Sequence, residues 1–395
     1  MTDFSNTELS LCSLVIFRRL LNDDVFAKLS ALLRADDLSV SEQVSCYADF
    51  TAALFAHGTN LTDYVLMRII EDDNIYVQKR AQKQPVDHTL EVCLKNELAV
   101  LQAVAQLKSA DIRAHIRFDG FLPDWRNGDL DFAEAYMRHM DGIATQGHGI
   151  YAKHYMLRVK NGEIVPVTCP DPIRLADLKG YERQKKAVIG NTLALLNGNP
   201  AANALLYGDA GTGKSSTVKA IVNENHGQGL RLIEIGKQQF GEIPTIVETL
   251  SQSPLKFILF IDDLSFTQQN DDFNALKAVL EGSVSAKATN IAIYATSNRR
   301  HMVKELFSDR EGDDIHRNET IQELCSLSHR FGLTVGFFKP DKKVYLDIVH
   351  ALKDDYGIEM DDALLDLEAE RFASAGRSPR IARQFIDSLR RNGQA

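Results

Sequence analysis

The 395-residue sequence lacks the features that would place it in several common classes of protein. No run approaches 18 consecutive apolar residues, so no membrane-spanning helix and no membrane partner are expected. A signal peptide has a basic region followed by an apolar one. The N-terminal stretch MTDFSNTELS lacks this pattern, so a signal peptide is not expected. The five cysteines lie far apart without a CxxC pair, which predicts reduced thiols in a cytoplasmic protein. They are Cys12, Cys46, Cys93, Cys169 and Cys325.

The sequence also lacks an excess of basic residues. Its net charge of −9 argues against a basic surface over the whole chain, which many nucleic-acid-binding proteins have. The segment 371–395 is an exception, because it holds six arginines against the single acid Asp387. Contact with DNA through this segment therefore stays open. The arginines are Arg371, Arg377, Arg380, Arg383, Arg390 and Arg391.

The first part of the chain has the pattern of a helical domain. Apolar residues recur at three- and four-residue spacing in LSLCSLVIFRRLLNDDVFAKLSALL and again in TLEVCLKNELAVLQAVAQL. Two short β-type runs then flank Asn161-Gly162 in YMLRVKNGEIVPV, which predicts a hairpin. Two prolines follow in CPDPIR, a linker-like stretch. We therefore predict a mainly helical N-terminal domain with a β-hairpin over residues 1–170.

Beyond the linker, short apolar strands alternate with helical stretches. Near-continuous apolar strands of this kind indicate a parallel sheet covered on both faces, as in α/β proteins. We predict a five-stranded parallel sheet in a domain over residues 171–339, and a helical domain over 340–395. The predicted strands are ANALLY (202–207), RLIEI (231–235), KFILFID (256–262), NIAIYATS (290–297) and LTVGFF (333–338).

The first predicted strand is followed directly by GDAGTGKS (208–215), which fits the phosphate-loop pattern G-x-x-x-x-G-K-[ST]. Glycines let the backbone approach phosphates closely, and successive N–H groups at a helix start form an anion site. Lys214 would reach the β- and γ-phosphates of a nucleotide, and the Ser215 hydroxyl would ligate Mg²⁺. The predicted nucleotide-binding residues of this loop are Gly208, Asp209, Ala210, Gly211, Thr212, Gly213, Lys214, Ser215 and Ser216.

A second candidate element is the pair Asp262-Asp263, at the end of the strand KFILFID. Two carboxylates would be costly inside a core, so they are expected at the exposed tip of the strand, where α/β sheets bind ligands. We assign Asp262 to the Mg²⁺ shell, together with Ser215. Asp263 is assigned to polarising the attacking water.

With these motifs, residues 171–391 resemble the AAA+ ATPases. By that resemblance, Asn298 in YATSN is the sensor 1 residue, and Arg330 in SLSHRFGL is an arginine finger given to a neighbouring subunit. Arg380 in AGRSPRIARQFI corresponds to the sensor 2 residue of a C-terminal helical lid. The backbone near Gly180 and Tyr181 would cradle adenine.

The resemblance implies an α/β P-loop NTPase fold, ATP and Mg²⁺ as cofactors, and a homo-oligomer, possibly a six-membered ring. More narrowly, the motifs DDLSF, LEG and ATSNRRH resemble a bacterial AAA+ family whose biological role is undefined. One residue departs from the AAA+ pattern, in which a glutamate usually follows the aspartate as general base. Asp263 occupies that position and is one methylene shorter, with Glu281 as a possible helper.

Several residues keep a structural alternative. Arg330 could pair with acids in DREGDDIHRNE (309–319), and Arg380 could be a solvated residue of a basic helix. Phe240-Gly241 follows a strand at the place of an aromatic pore loop, although core packing is the simpler interpretation.

Two functions are therefore carried forward. The first is a Mg²⁺-dependent ATP hydrolase that remodels a protein or DNA client chosen by the N-terminal domain. The second is a slow-hydrolysing, nucleotide-dependent assembly switch, which Asp263 motivates. A small-molecule kinase would not need Asn298, Arg330 and Arg380 in this order.

Overall fold

The structure is a computed structural model that describes residues 4–264, 280, 288–298 and 330–391. The chain divides into two compact units, Met1–Lys153 and His154–Ala395. The described residues include no helix with the length and hydrophobicity of a membrane span.

The first unit is built from helices around one hydrophobic core, as the apolar spacing predicted. Trp125 lies in that core, where its indole N–H donates to the carbonyl oxygen of Leu107 at 2.8 Å. Its rings pack against Tyr47 and Phe50, with centroids 5.4 and 5.0 Å away. The helices are α1 (Phe4–Cys12), α2 (Asp24–Leu33), α3 (Val40–Phe55), α4 (Leu61–Glu71), α5 (Ile75–Ala81), α6 (His88–Ala105), α7 (Ser109–Arg113), α8 (Phe132–Asp141), α9 (Ile143–Gln146) and α10 (Ile150–Lys153).

Polar side chains start most of the longer helices of this unit. Asp23, Asn60 and Asn74 accept hydrogen bonds from backbone N–H groups in the first turns of α2, α4 and α5. Ser39 and Glu42 form a reciprocal capping box at the start of α3. These caps satisfy N–H groups that have no partner within the helix, which explains why the helices begin at these residues.

The second unit contains a seven-stranded sheet in the order β2-β1-β4-β5-β6-β3-β7. The strands are β1 (Met156–Lys160), β2 (Glu163–Pro166), β3 (Ala204–Gly208), β4 (Leu230–Glu234), β5 (Lys256–Ile261), β6 (Ile291–Ser297) and β7 (Leu333–Phe337). The helices are α11 (Glu182–Leu196), α12 (Lys214–Asn225), α13 (Ile243–Ser251), α14 (Lys342–Tyr356), α15 (Asp362–Phe372) and α16 (Pro379–Arg391).

The prediction of five strands was wrong, because the sheet has seven. All five predicted strands are present as β3 to β7 and pair in parallel. The predicted hairpin adds two more: β1 pairs with β4 in parallel, and β2 closes the edge against β1 in antiparallel orientation. Burial of Met156, Leu157 and Val159 explains this placement, because Leu157 and Val159 face one side of the sheet and Met156 faces the other, so β1 is apolar on both faces.

The hairpin consequently lies in the second unit and not in the helical one, because the boundary between the two units falls between Lys153 and His154. The assignment of residues 1–170, 171–339 and 340–395 to three functional domains stays a prediction. Residues 342–391 form α14, α15 and α16 around their own small core, which includes Tyr345, Val349 and Ile386. We call these three helices the lid.

The sheet brings three sequence motifs to one edge. β3 ends at Gly208, where the phosphate loop begins, β5 ends directly before Asp262-Asp263, and β6 ends directly before Asn298. Since β5, β6 and β3 are parallel neighbours, their carboxyl ends meet at the same edge. Ligands bind at this edge in α/β sheets.

Candidate functional site

The phosphate loop is a tight turn that glycine makes possible. Gly208, Gly211 and Gly213 all have positive φ, of 130°, 78° and 90°. A Cβ at Gly208 would lie 2.1 Å from the carbonyl oxygen of Phe337 in the neighbouring strand β7. α12 begins at Lys214, its N-cap residue Gly213 has no side chain to cap it, and its first residues line a cavity. The loop thus directs a helix N-terminus at that cavity, an arrangement that favours anions.

Lys214 is buried beneath the loop and held by three oxygen atoms. Its Nζ donates to the backbone oxygens of Gly208 and Asp209, at 3.2 and 2.7 Å, and to Asn298 Oδ1 at 2.9 Å. Burial lowers the pKa of its ammonium group, whereas the carboxylates of Asp209, Asp262 and Asp263 act in the opposite direction. The three oxygen acceptors match the three N–H donors of an ammonium group, so the loop provides a place for a cation at the end of β3, where a phosphate group would need it.

Asp262 is the centre of a second cluster. Its Oδ1 accepts hydrogen bonds from the hydroxyls of Ser215 and Thr296, both at 2.6 Å, and from the backbone N–H of Asp263 at 3.2 Å. Thr296 is almost fully buried and stands on β6. The pairing of Ser215 with Asp262 brings together the two residues that the sequence assigned to Mg²⁺.

These residues fit a magnesium site. Mg²⁺ prefers oxygen ligands and is commonly held by one or two protein groups together with phosphate oxygens. The Ser215 hydroxyl and the Asp262 carboxylate supply such oxygen ligands at the start of α12. Among the described residues there is no cluster of three or more His, Cys, Asp or Glu side chains that could hold a metal without a phosphate.

Asp263 is fixed in an unusual backbone conformation beside this cluster. Its φ is 53°, in the left-handed region that aspartate and asparagine tolerate better than most residues. Its N–H donates to Thr296 Oγ1 at 2.9 Å, and its Oδ1 accepts from Asn298 Nδ2 at 2.9 Å. The side chain remains exposed, so water can reach it. Asn298 thus contacts both Asp263 and Lys214, joining the two halves of the site.

The cavity has a volume of about 460 Å³ and extends from the phosphate loop to the lid. Gly180 and Tyr181 line it beside the apolar side chains Ile348 and Leu352 of α14. Gly180 and Tyr181 both have positive φ, 80° and 59°, and a Cβ at Gly180 would lie 2.9 Å from Ile348 Cδ1. An apolar recess next to an anion-binding loop suits a nucleotide, since the base is flat and the phosphates are charged.

The lid contributes two arginines to the cavity. Arg380 and Arg383 both line it from α16, and the backbone N–H of Arg380 donates to the carbonyl oxygen of Gly211 at 3.2 Å. The sequence assigned a role to Arg380 and missed Arg383. The three-residue spacing of the two was a usable signal, because residues i and i+3 share a helix face.

Arg330 lies away from this cavity. It stands three residues before Leu333, which pairs with Ala204 at the amino end of β3, whereas the phosphate loop follows the carboxyl end of that strand. The structure therefore separates Arg330 from the phosphate loop of its own chain. Its alternative partners at 309–319 and the helper Glu281 lie outside the described residues.

The structure also bears on the interpretation of Phe240 and adds Thr296 to the site. Phe240 is almost fully buried, which agrees with core packing and not with an exposed pore loop. Thr296 was missed as a site residue, although it lies on β6 only two positions before Asn298, and residues two positions apart along an extended chain lie on the same side.

Comparison with known proteins identifies the family of this chain. A family model described as "Protein of unknown function (DUF815)" matches residues 151–393, more than half of the sequence. The chain belongs to the DUF815 family. The match begins just before β1 and includes the phosphate loop, the Asp262 cluster and the lid.

Curated proteins are similar to parts of this DUF815 chain. A replication factor C large subunit of Methanococcus vannielii is 24% identical over 208 residues, which are 50% of this chain and 40% of that protein. A replication factor C large subunit of Staphylothermus marinus is 32% identical over 117 residues, 28% of this chain and 27% of that protein. The chain thus spans less than half the length of either relative. With the site geometry, these similarities support the AAA+ superfamily.

Among solved structures, the RuvB Holliday junction branch migration motor of Thermotoga maritima matches 56% of this chain and 65% of its own. The identity is 17% and the TM-score is 0.37, a likeness that says nothing about function. The narrower resemblance through DDLSF, LEG and ATSNRRH stays a prediction, because the matched family is described only as a protein of unknown function.

Proposed function

We propose that this protein is a Mg²⁺-dependent ATP hydrolase of the AAA+ type. The observation that supports it best is the single chain of hydrogen bonds in the cavity, from Ser215 through Asp262 and Thr296 to Asp263, Asn298 and Lys214. This chain joins a phosphate-binding cation, a metal-binding pair and an exposed carboxylate. An ATP hydrolase needs these three groups together.

Each residue of the chain has a proposed role. Lys214 and the N–H groups of residues 208–216 bind the phosphates, and Ser215 with Asp262 holds Mg²⁺, which neutralises phosphate charge when bound. Asp263 takes the proton of the attacking water, oriented by Asn298. Gly180 and Tyr181 contact the base, and Arg380 approaches the phosphates from the lid.

A second candidate function is a switch in which bound ATP drives assembly and hydrolysis is very slow. The observation in its favour is that Asp263, shorter than the glutamate usual in AAA+ enzymes, already accepts a hydrogen bond from Asn298. A carboxylate held in this way needs a favourable water position to act as a base.

Replacing Asp263 by asparagine separates the two functions. Asparagine tolerates the left-handed backbone and keeps an oxygen for Asn298, so the site geometry should survive while the base is lost. We expect phosphate release to fall by roughly 100-fold or more, with ATP affinity within a few-fold of wild type. Steady-state phosphate release and equilibrium ATP binding measure these two effects.

The baseline for that assay is the Lys214→Ala variant, which should have no functional site. If wild type releases phosphate no faster than Lys214→Ala but still binds ATP, the hydrolase proposal is wrong and the switch replaces it. Phosphate release by Asp263→Asn at the wild-type rate would remove Asp263 from the proposed mechanism.

We further propose that the protein works as a homo-oligomer, possibly a hexameric ring, with sites shared between subunits. The position of Arg330 motivates this proposal, because it lies at the opposite edge of the sheet from its own phosphate loop. A guanidinium is a fixed, always charged group that stabilises transition-state charge on a transferred phosphate. Arg330 would therefore complete the site of a neighbouring subunit.

Mixing two inactive variants tests the shared site. Arg330→Ala subunits keep a complete phosphate loop, and Lys214→Ala subunits keep the arginine. In a mixture, the first can receive Arg330 from the second. We expect each variant alone to be nearly inactive, and equimolar mixing to restore a measurable part of wild-type phosphate release. Wild-type activity of Arg330→Ala alone, or a mixture no more active than its parts, would contradict this proposal.

The proposed client is a protein or DNA, and the N-terminal domain would select it. In the described part of the basic segment, Arg371, Arg377 and Arg390 pair with Glu368, Glu370 and Asp387. The arginines that line the cavity are Arg380 and Arg383. Few arginines of the basic segment are therefore available for a DNA-binding surface, while similarity to replication factor C large subunits keeps DNA among the candidates.

We also propose a cytoplasmic location, consistent with the free thiols of Cys12, Cys46, Cys93 and Cys169.

A further inference from the structure

A short segment, Phe337-Phe338-Lys339, leads from β7 towards the lid, which begins at Lys342. We call it the strap. The lid carries Arg380 and Arg383, so the position of the strap affects where these two side chains stand relative to the phosphate loop. Two residues that line the site, Asp209 and Tyr181, hold the three residues of the strap through hydrogen bonds. Neither residue has so far been given a role in placing the lid.

Asp209 holds the strap at both ends. Its backbone N–H donates to the carbonyl oxygen of Phe337 at 2.9 Å, and its Oδ2 accepts from the N–H of Lys339 at 2.7 Å. The backbone oxygen of the same residue accepts from Lys214 Nζ at 2.7 Å. One residue therefore contacts both the cation that would bind phosphate and the segment that leads to the lid.

Tyr181 holds the middle of the strap. Its hydroxyl donates to the carbonyl oxygen of Phe338 at 2.6 Å, and its ring packs on Phe337 with centroids 5.4 Å apart. Burial raises the pKa of Tyr181 to about 12, so the hydroxyl stays a donor at neutral pH. Tyr181 has a left-handed backbone, with φ 59°, and directly precedes α11.

The lid also contacts the phosphate loop directly. The N–H of Arg380 donates to the Gly211 carbonyl oxygen at 3.2 Å, and a Cβ at Gly211 would lie 3.3 Å from the Cβ of Arg380. The lid thus meets the cavity at the strap and at the start of α16. It also meets it along α14, where Ile348 and Leu352 lie beside Gly180 and Asp355 pairs with Lys179 at 2.6 Å. Loosening the strap would leave Arg380 less well placed over the loop.

We propose that Tyr181 and Asp209 are positioning residues that clamp the strap and thereby fix Arg380 over the bound nucleotide. This proposal rests on the proposed function, because it assigns the lid arginine to ATP. It predicts that the Tyr181 hydroxyl contributes to ATP affinity only through Arg380. The contact of Tyr181 with the base would in contrast be independent of the lid arginine.

A double-mutant cycle tests this dependence. Tyr181→Phe removes one hydroxyl and keeps the ring against Phe337. In protein with Arg380, we expect it to weaken ATP binding by about three- to tenfold, the factor of one hydrogen bond. In the Arg380→Ala background, the same change should alter the ATP dissociation constant by less than about twofold. Isothermal titration calorimetry with ATP and Mg²⁺ measures all four dissociation constants.

Tyr345→Phe is the matched control. Tyr345 donates its hydroxyl to the carbonyl oxygen of Ala369 at 3.2 Å inside the lid core, away from the strap. It should leave ATP affinity within about twofold in both backgrounds. Hydrogen exchange without nucleotide adds a readout that does not depend on binding. Tyr181→Phe should speed exchange of the lid amides that face the cavity.

The outcomes separate the strap from the proposed function. Equal weakening in both backgrounds, or equal weakening by Tyr345→Phe, would overturn the clamp and leave ATP binding in place. Wild-type protein that binds no ATP would overturn both proposals, since the strap would have no nucleotide arginine to position.

Discussion

A Gly208→Ala variant should lose at least about 3 kcal/mol of the free energy of unfolding. The methyl group would lie 2.1 Å from the carbonyl oxygen of Phe337 and 2.7 Å from its carbonyl carbon, and both are backbone atoms that cannot rotate away. Gly208 also has φ 130°, a conformation that alanine rarely adopts. β3 and β7 would have to separate at the point where the strap begins.

Urea denaturation of the full chain without nucleotide measures this loss, and Gly190→Ala is the matched control. Gly190 lies in α11, and a Cβ there would meet no atom of the described residues within 4 Å. Alanine should stabilise that helix by about 0.5–1 kcal/mol. Equal unfolding midpoints for Gly208→Ala and wild type would mean that β3 and β7 are not packed as described.

The phosphate loop was predictable because its chemistry fixes residue types at fixed spacing. A turn with positive φ favours glycine, and a bound phosphate needs a nearby cation. The residue types in GDAGTGKS therefore predict the structure of the loop. Asp262 and Asp263 were predictable for a related reason, since two charges after an apolar strand must lie at its exposed end. Asn298 required the AAA+ resemblance.

Other features depend on pairing between distant segments. The hairpin at Asn161-Gly162 was visible, but its position beside β4 was not, because the sequence does not say which strand edge is free. Thr296 and Asp209 illustrate the same limit within the site. Their side chains act through contacts with residues 34 positions before and 130 positions after them, so only the folded chain reveals those partners.

The second large effect is expected from replacing Lys214 by alanine, which should weaken ATP binding. Its Nζ is buried among the Gly208, Asp209 and Asn298 oxygens, and α12 begins at this residue. Lys214→Ala removes the only charge-assisted donor that the phosphate-loop motif supplies from a side chain. ATP affinity should fall by roughly 100-fold, as expected for a hydrogen bond to a charged group together with the lost attraction.

Lys219→Ala is the control for Lys214→Ala, since Lys219 is a half-buried lysine of the same helix that does not line the cavity. Calorimetric titration of ATP with Mg²⁺ into wild type and both variants is the most direct test of a nucleotide site at the end of β3. Saturable binding by wild type and Lys219→Ala, with none detectable for Lys214→Ala at the same concentrations, is the predicted result. No binding by wild type, or equal binding by all three, would contradict it.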